Sequence, residues 1–179
     1  MTAATLDDWI ADASVRTVHR RSAAAAPAAL WDAAGQVRLA DTRRLGRMVR
    51  WRIPGLDGSL RYRQMFREYP FVVLEESEHG LVSGLCGKIW TLTRDYPRLA
   101  GADEFAAWDE PGTVRVAFAH WVSPLDHGGG SEIVSEARVE PVDMRARLRL
   151  KTIWAVLGPF APLVASEPLA LAVRRAEGA

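Results

Sequence analysis

His120 is the titratable side chain that this sequence sets most clearly among apolar neighbours. Residues 113–122 alternate like a strand, which puts Val114, Val116, Phe118 and His120 on one face. An imidazole held there can act as a general base or share one hydrogen bond with a ligand carbonyl. The plainer alternative is a histidine near a strand end, bonded to backbone or water. Ser83 and Ser135 add hydroxyls to the same expected inner face, although strand serines commonly serve only as cross-strand partners. Glu132, Glu136 and Glu140 alternate outward with Arg138, so no inner-face carboxylate is expected near His120. The expected imidazole is therefore neutral and lacks the acid that often orients a catalytic histidine.

Four of the seven tryptophans, Trp90, Trp108, Trp121 and Trp154, could wall a flat apolar ligand, or simply fill a core. Trp121 falls on the opposite face from His120 and is expected outside any pocket. Arg38, Arg43, Arg44, Arg47, Arg50, Arg52, Arg61, Arg63 and Arg67 form the densest charge cluster, offset locally by Asp41 and Asp57. The sharper reading is an anion site at a pocket mouth. The plainer and preferred one is a helix face paired with acidic stretches such as Asp103-Glu104 and Asp109-Glu110. Glu75, Glu76 and Glu78 read as a solvated strand end. His19, His79, His120 and His127 show no metal-ligand spacing, and no phosphate-binding loop, dinucleotide fingerprint or nucleophile elbow occurs. Cys86 lies in an apolar strand between two glycines and is expected to be buried and inert.

The elements that must position these groups follow from periodicity. A strand is expected over 14–26 and a helix opening at Pro27, with proline in the first turn and Gly35 as its stop. A second helix opens near Asp41 or Thr42, with Leu45, Met48, Val49 and Ile53 on one side, and a helical turn spans 59–68. Strands are expected over 71–75, 81–93 and 105–108. Gly84 and Gly87 weaken the second of these and mark a bulge or a close approach. The strand at 113–122 turns through Asp126 to Gly130 into another, which Pro141 ends. A helical stripe of Val142, Ala146, Leu150, Ile153, Trp154 and Leu157 follows, with a break expected near Gly158-Pro159. This order predicts an α+β domain with a mainly antiparallel sheet.

A chain of 179 residues can bury one sizeable core; residues 1–13 are expected as an N-terminal extension and 14–179 as a single domain. A net charge of +1 offers no general case for nucleic acid, and only two of the 23 basic residues are lysine, a compositional bias. One cysteine excludes an internal disulfide. Residues 1–10 lack the basic start of a secretory signal, and a cytoplasmic location is expected. Residues 153–173 carry only Glu167 as a charge, but Gly158, Pro159, Pro162 and Pro168 argue for a broken, buried helix over a membrane span.

Three runs carry a resemblance: Gly84-x-x-Gly87-x-x-Trp90, Phe105-Ala-Ala-Trp108 before Pro111-Gly112, and Ser135-Glu-Ala-Arg-Val139. With the tail from Trp154 through Pro159-Phe160 to Ala176-Glu177, the chain resembles the START-like (SRPBCC) superfamily. Within it the pattern is similar to an uncharacterised bacterial branch related to polyketide cyclase/dehydrase and lipid-transport proteins. The resemblance covers roughly residues 14–177 and rests on order and spacing, not on one diagnostic motif. It implies a helix-grip fold: a curved antiparallel sheet wrapped around a long C-terminal helix, with an internal apolar cavity. Ala137 stands where that branch is expected to carry threonine, which would make the inner face roomier and less polar. The implied function is binding of a lipid or polyketide-like aromatic, lined by Ser83, Trp90, Trp108, Val116, Phe118, His120, Ser135, Leu150 and Trp154. The alternatives are a cyclase or dehydratase using acid–base chemistry around His120, or a structural protein whose cavity its own side chains fill. No cofactor and no metal are expected, and a homodimer is compatible with the pattern.

Overall fold

A computed structural model describes residues 6–43, 45, 47, 58–91, 96–126, 129–158 and 161–178. Five strands form one antiparallel sheet: β1 (Val15–Ala23), β2 (Val72–Ser77), β3 (Gly80–Gly87), β4 (Val114–Pro124) and β5 (Ser131–Pro141). Their order is β1-β5-β4-β3-β2, so the first strand pairs with the last across most of the chain. The α-helices bounded within the described residues are α1 (Pro27–Gln36), a short α2 (Tyr62–Met65), α3 (Ala102–Ala106), α4 (Met144–Leu157) and α5 (Ala161–Ala176). The result is a mixed α+β fold with an antiparallel sheet and C-terminal helices, consistent with a helix-grip architecture.

Both faces of the sheet are covered. On the inner face α4 brings Leu150 and Trp154 against Val15, Val114, Val116 and Val139 at one end. Leu169 and Ala172 of α5 join Ala23, Val122, Ile133 and Leu30 of α1 at the other end. The outer face carries Val82, Cys86, Ala117 and Ala119, packed under Leu6, Ile10 and Phe105. Two of the deepest side chains, Leu6 and Ile10, come from the N-terminal segment. The second expected helix, around Met48, Val49 and Ile53, lies outside the described residues.

Asp143 caps α4: the Ala146 N–H donates to one carboxylate oxygen at 2.7 Å and the Gly112 N–H to the other at 2.8 Å. Those backbone donors, Ala146 first, hold the Asp143 carboxyl below its ordinary range. In place of one long C-terminal helix there are two, because glycine and proline concentrate between Leu157 and Pro162. Among the described residues no helix is long and apolar enough to cross a membrane.

Two expected strands are corrected. Residues 105–108 do not form a strand; the local element is helix α3, whose first turn carries Asp103 and Glu104, charges that suit the positive end of a helix. An apolar run this short does not distinguish helix from strand by itself. The strand expected to reach residue 93 stops at Gly87, where φ of 132° takes the backbone out of the sheet. Gly84 marks a close approach: a Cβ there would sit 2.6 Å from the Phe105 ring. The bulge is in β2 instead, between Val73 and Glu75.

Candidate functional site

The pairing register builds a polar row across the inner face. Leu81, His120, Ser135 and His19 stand opposite one another on β3, β4, β5 and β1. The next row holds Ser83, Phe118, Ala137 and Thr17. The row beyond is wholly apolar: Leu85, Val116, Val139 and Val15. The two polar-bearing rows lie between the end covered by α4 and the end covered by α5.

Helix α2 and the residue after it close over this region with an i, i+4 aromatic pair. The Phe66 ring lies 4.4 Å from that of His120 and 5.2 Å from that of Phe118, and Tyr62 lies 5.4 Å from His120. Phe71 completes the cluster, 5.1 Å from Phe66 and 5.7 Å from Phe118. The ring neighbours of His120 come from the α2 segment, whereas Leu150 and Trp154 of α4 pack on the Val116 row.

His120 is 3% exposed. Burial, with the Arg63 charge adding to it, pushes the imidazole down to about 3, so it is neutral at physiological pH. Burial raises the Tyr62 phenol, while a hydrogen bond with Ser135 pulls the other way. His19 is also held below its ordinary value, first by burial and then by Arg21.

Arg63 projects from α2 towards α1. Its guanidinium stacks on the Trp31 ring at 4.1 Å, and a Cβ at Gly35 would lie 2.5 Å from Nη2, so a side chain there would displace the guanidinium. Among the described residues Arg63 makes no ion pair, and burial with Arg67 nearby lowers its pKa. Among the described residues His19 Nε2, His120 Nε2, Ser83 Oγ, Trp90 Nε1, and Arg63 Nε and Nη1 are buried polar atoms without a hydrogen-bond partner. Natural folds rarely leave such groups unmatched.

The expected lining residues divide accordingly. His120, Phe118, Ser83 and Ser135 lie in the two polar-bearing rows. Val116, Leu150, Trp154 and Trp90 form the adjoining apolar cluster, with the Arg149 guanidinium 5.8 Å from the Trp90 ring. Trp108 is elsewhere: it packs in the outer-face cluster, its indole N–H donating to Thr113 Oγ1 at 2.9 Å. The inward placement of Trp108 fails because α3 lies on the far side of the sheet. Trp121 packs on the outer face, as alternation predicts. Burial pushes the Cys86 thiol up to about 12, which leaves it without thiolate character.

Sequence reasoning missed Tyr62, Phe66 and Phe71 and the inner-face place of His19, and it named Arg63 only as one member of the arginine cluster. The i, i+4 spacing of Tyr62 and Phe66 was a signal, as was the alternation of Val15, Thr17, His19 and Ala23. Of the arginine cluster, Arg44, Arg50 and Arg52 lie outside the described residues, Arg67 pairs with Glu76, and Arg38 and Arg61 form a backbone bridge. The acidic partners expected at 103–110 are therefore not the ones that Arg67 uses.

No family model matches this chain, and no curated protein matches it. Among solved structures, that of TTHA0849 from Thermus thermophilus is similar at 9% identity and a TM-score of 0.35, over 92% of this chain and 98% of that one. The crystal structure of Ara h 8.0201 is similar at 12% identity and a TM-score of 0.28, over 92% and 99% respectively.

Proposed function

We propose that this protein binds an apolar small molecule against the inner face of its sheet. The observation that carries the reading is the set of buried polar atoms without a partner among the described residues, set among aromatic rings, above all His120 Nε2 and Ser83 Oγ. An unsatisfied buried group costs about 1–3 kcal/mol, so a face meant only as core would be expected to carry apolar atoms there. A ligand with an apolar body and one or two polar atoms would meet both needs: rings for contact, and a donor or acceptor for orientation.

The structural alternative has some support, since Tyr62, Phe66, Phe71 and Phe118 already touch one another. It leaves the polar atoms unexplained. The enzyme alternative is weaker, because an imidazole pushed down to about 3 is a poor base at neutral pH and has no carboxylate behind it.

Titration with the neutral fluorophore N-phenyl-1-naphthylamine tests the reading. Saturable binding at one equivalent per chain is expected, together with a ligand visible by native mass spectrometry in freshly purified protein. Absence of saturable binding would count for the filled-core alternative.

A further inference from the structure

Arg63 brings a strong positive charge to the polar region, and its surroundings are built to hold it. Trp31 supplies a ring face at 4.1 Å, and Gly35, one helical turn on, leaves the space that a side chain would take. Asp32 and Glu76 lie within electrostatic reach and support the charge, yet neither forms an ion pair with it among the described residues. Two of its nitrogens, Nε and Nη1, are buried without acceptors among the described residues. A half-buried cation with two buried nitrogens that lack acceptors among the described residues is costly, and an anion supplied from outside would relieve that cost.

A second observation lies beside it. His120 is almost wholly buried, its Nε2 has no partner among the described residues, and its ring touches Phe66, three residues on from Arg63. A neutral imidazole can donate or accept one hydrogen bond without adding charge.

From this geometry we propose that the ligand is an amphipathic monoanionic acid. Its apolar, ring-sized body lies against Phe66, Phe71 and Phe118, its acid group is taken by Arg63, and His120 bonds a polar atom alongside. The inference rests on the ligand-binding reading above and names the chemical class of that ligand. A single negative charge is specified because one guanidinium offsets one charge. A dianion would leave a net charge buried beside a neutral imidazole.

The test uses two probes with the same aromatic body: 8-anilinonaphthalene-1-sulfonate, which is anionic, and N-phenyl-1-naphthylamine, which is neutral. The wild-type protein should bind the sulfonate about tenfold or more tightly than the neutral probe, the size of one charge-assisted contact. Arg63→Gln should weaken the sulfonate by a similar factor and leave the neutral probe within about twofold. Gly35→Ala keeps the arginine but displaces its guanidinium, so it should weaken the sulfonate in the same direction even where Arg63→Gln folds poorly. A wild-type protein that binds both probes equally, or variants that leave their ratio unchanged, would overturn the anion while the binding reading stands. A wild-type protein that binds neither probe would overturn both.

Discussion

Strand β5 carries polar side chains on both faces, and the two faces treat them oppositely. Outward, Glu136 and Arg138 are 5% and 4% exposed, and each is matched. Arg138 Nε meets Glu136 Oε1 at 2.7 Å, and its Nη1 donates to Asp7 at 2.6 Å and to the Ile10 carbonyl at 2.7 Å. Arg16 reaches the same Glu136 oxygen at 2.9 Å. Inward, Ser135 sits between His120 and His19, both of which have an unpartnered Nε2. The outer network is complete and clasps the N-terminal segment to the sheet. The inner set is incomplete within the described residues. The outer charges are satisfied within the fold, and the proposed ligand would supply what the inner polar atoms lack.

The largest predicted effect breaks the outer clasp. Arg138→Met leaves Glu136 buried without its main cation and should cost about 3–5 kcal/mol in chemical denaturation. Adding Glu136→Leu should recover much of that loss, since an apolar pair replaces a buried ionic one at little net cost.

Acid titration comes next, and it acts on the inner face. His120 has a folded pKa of about 3 against an ordinary 6.5, and His19 is shifted the same way. The unfolded chain therefore binds more protons than the folded one as pH falls below about 6.5. Stability is fully present above that pH and is lost on acidification towards 3, by up to about 1.4 kcal/mol per unit for His120 alone. His120→Phe should flatten the stability–pH curve between about 6.5 and 4.5, above the range in which Asp41 and Asp143 titrate. At pH 7 the same variant should unfold at unchanged or slightly higher denaturant, by about 1 kcal/mol, because an unsatisfied nitrogen is removed. It should also shift ligand preference towards less polar molecules. A loss of several kcal/mol at pH 7 would place His120 with the fold-holding groups and erase the contrast between the faces.

The smallest effect concerns the helix that closes one end. Asp143→Ala removes the N-cap of α4 and the acceptor for Gly112, and should lower the denaturation midpoint slightly without changing probe affinity.

Much of this contrast was legible beforehand, because alternation is a local property. The period-two pattern put His120, Phe118, Ser83 and Ser135 inside and Glu136, Arg138 and Trp121 outside, and the pairing register agrees. What alternation could not show is what lies above each face. That Glu136 and Arg138 are buried depends on Leu6, Ile10 and Asp7 folding back over more than a hundred residues of sequence. Arg63 was hidden within a run of arginines, and only the α1–α2 packing that stacks it on Trp31 separates it from Arg67, which pairs with Glu76. Trp108 was misplaced for a related reason: a five-residue helix with one buried phenylalanine resembles a short strand when read alone.

The most direct test of the comparison is an NMR titration of the protein with N-phenyl-1-naphthylamine, following side-chain resonances on both faces. The imidazole signals of His120 and His19 and the ring signals of Phe66 and Phe118 should move in step with binding, while the Arg138 Nε signal and the Trp108 and Trp121 indole signals stay fixed. Shifts confined to Trp108, Trp121 and Arg138, with His120 unmoved, would contradict the assignment of the inner face to ligand binding.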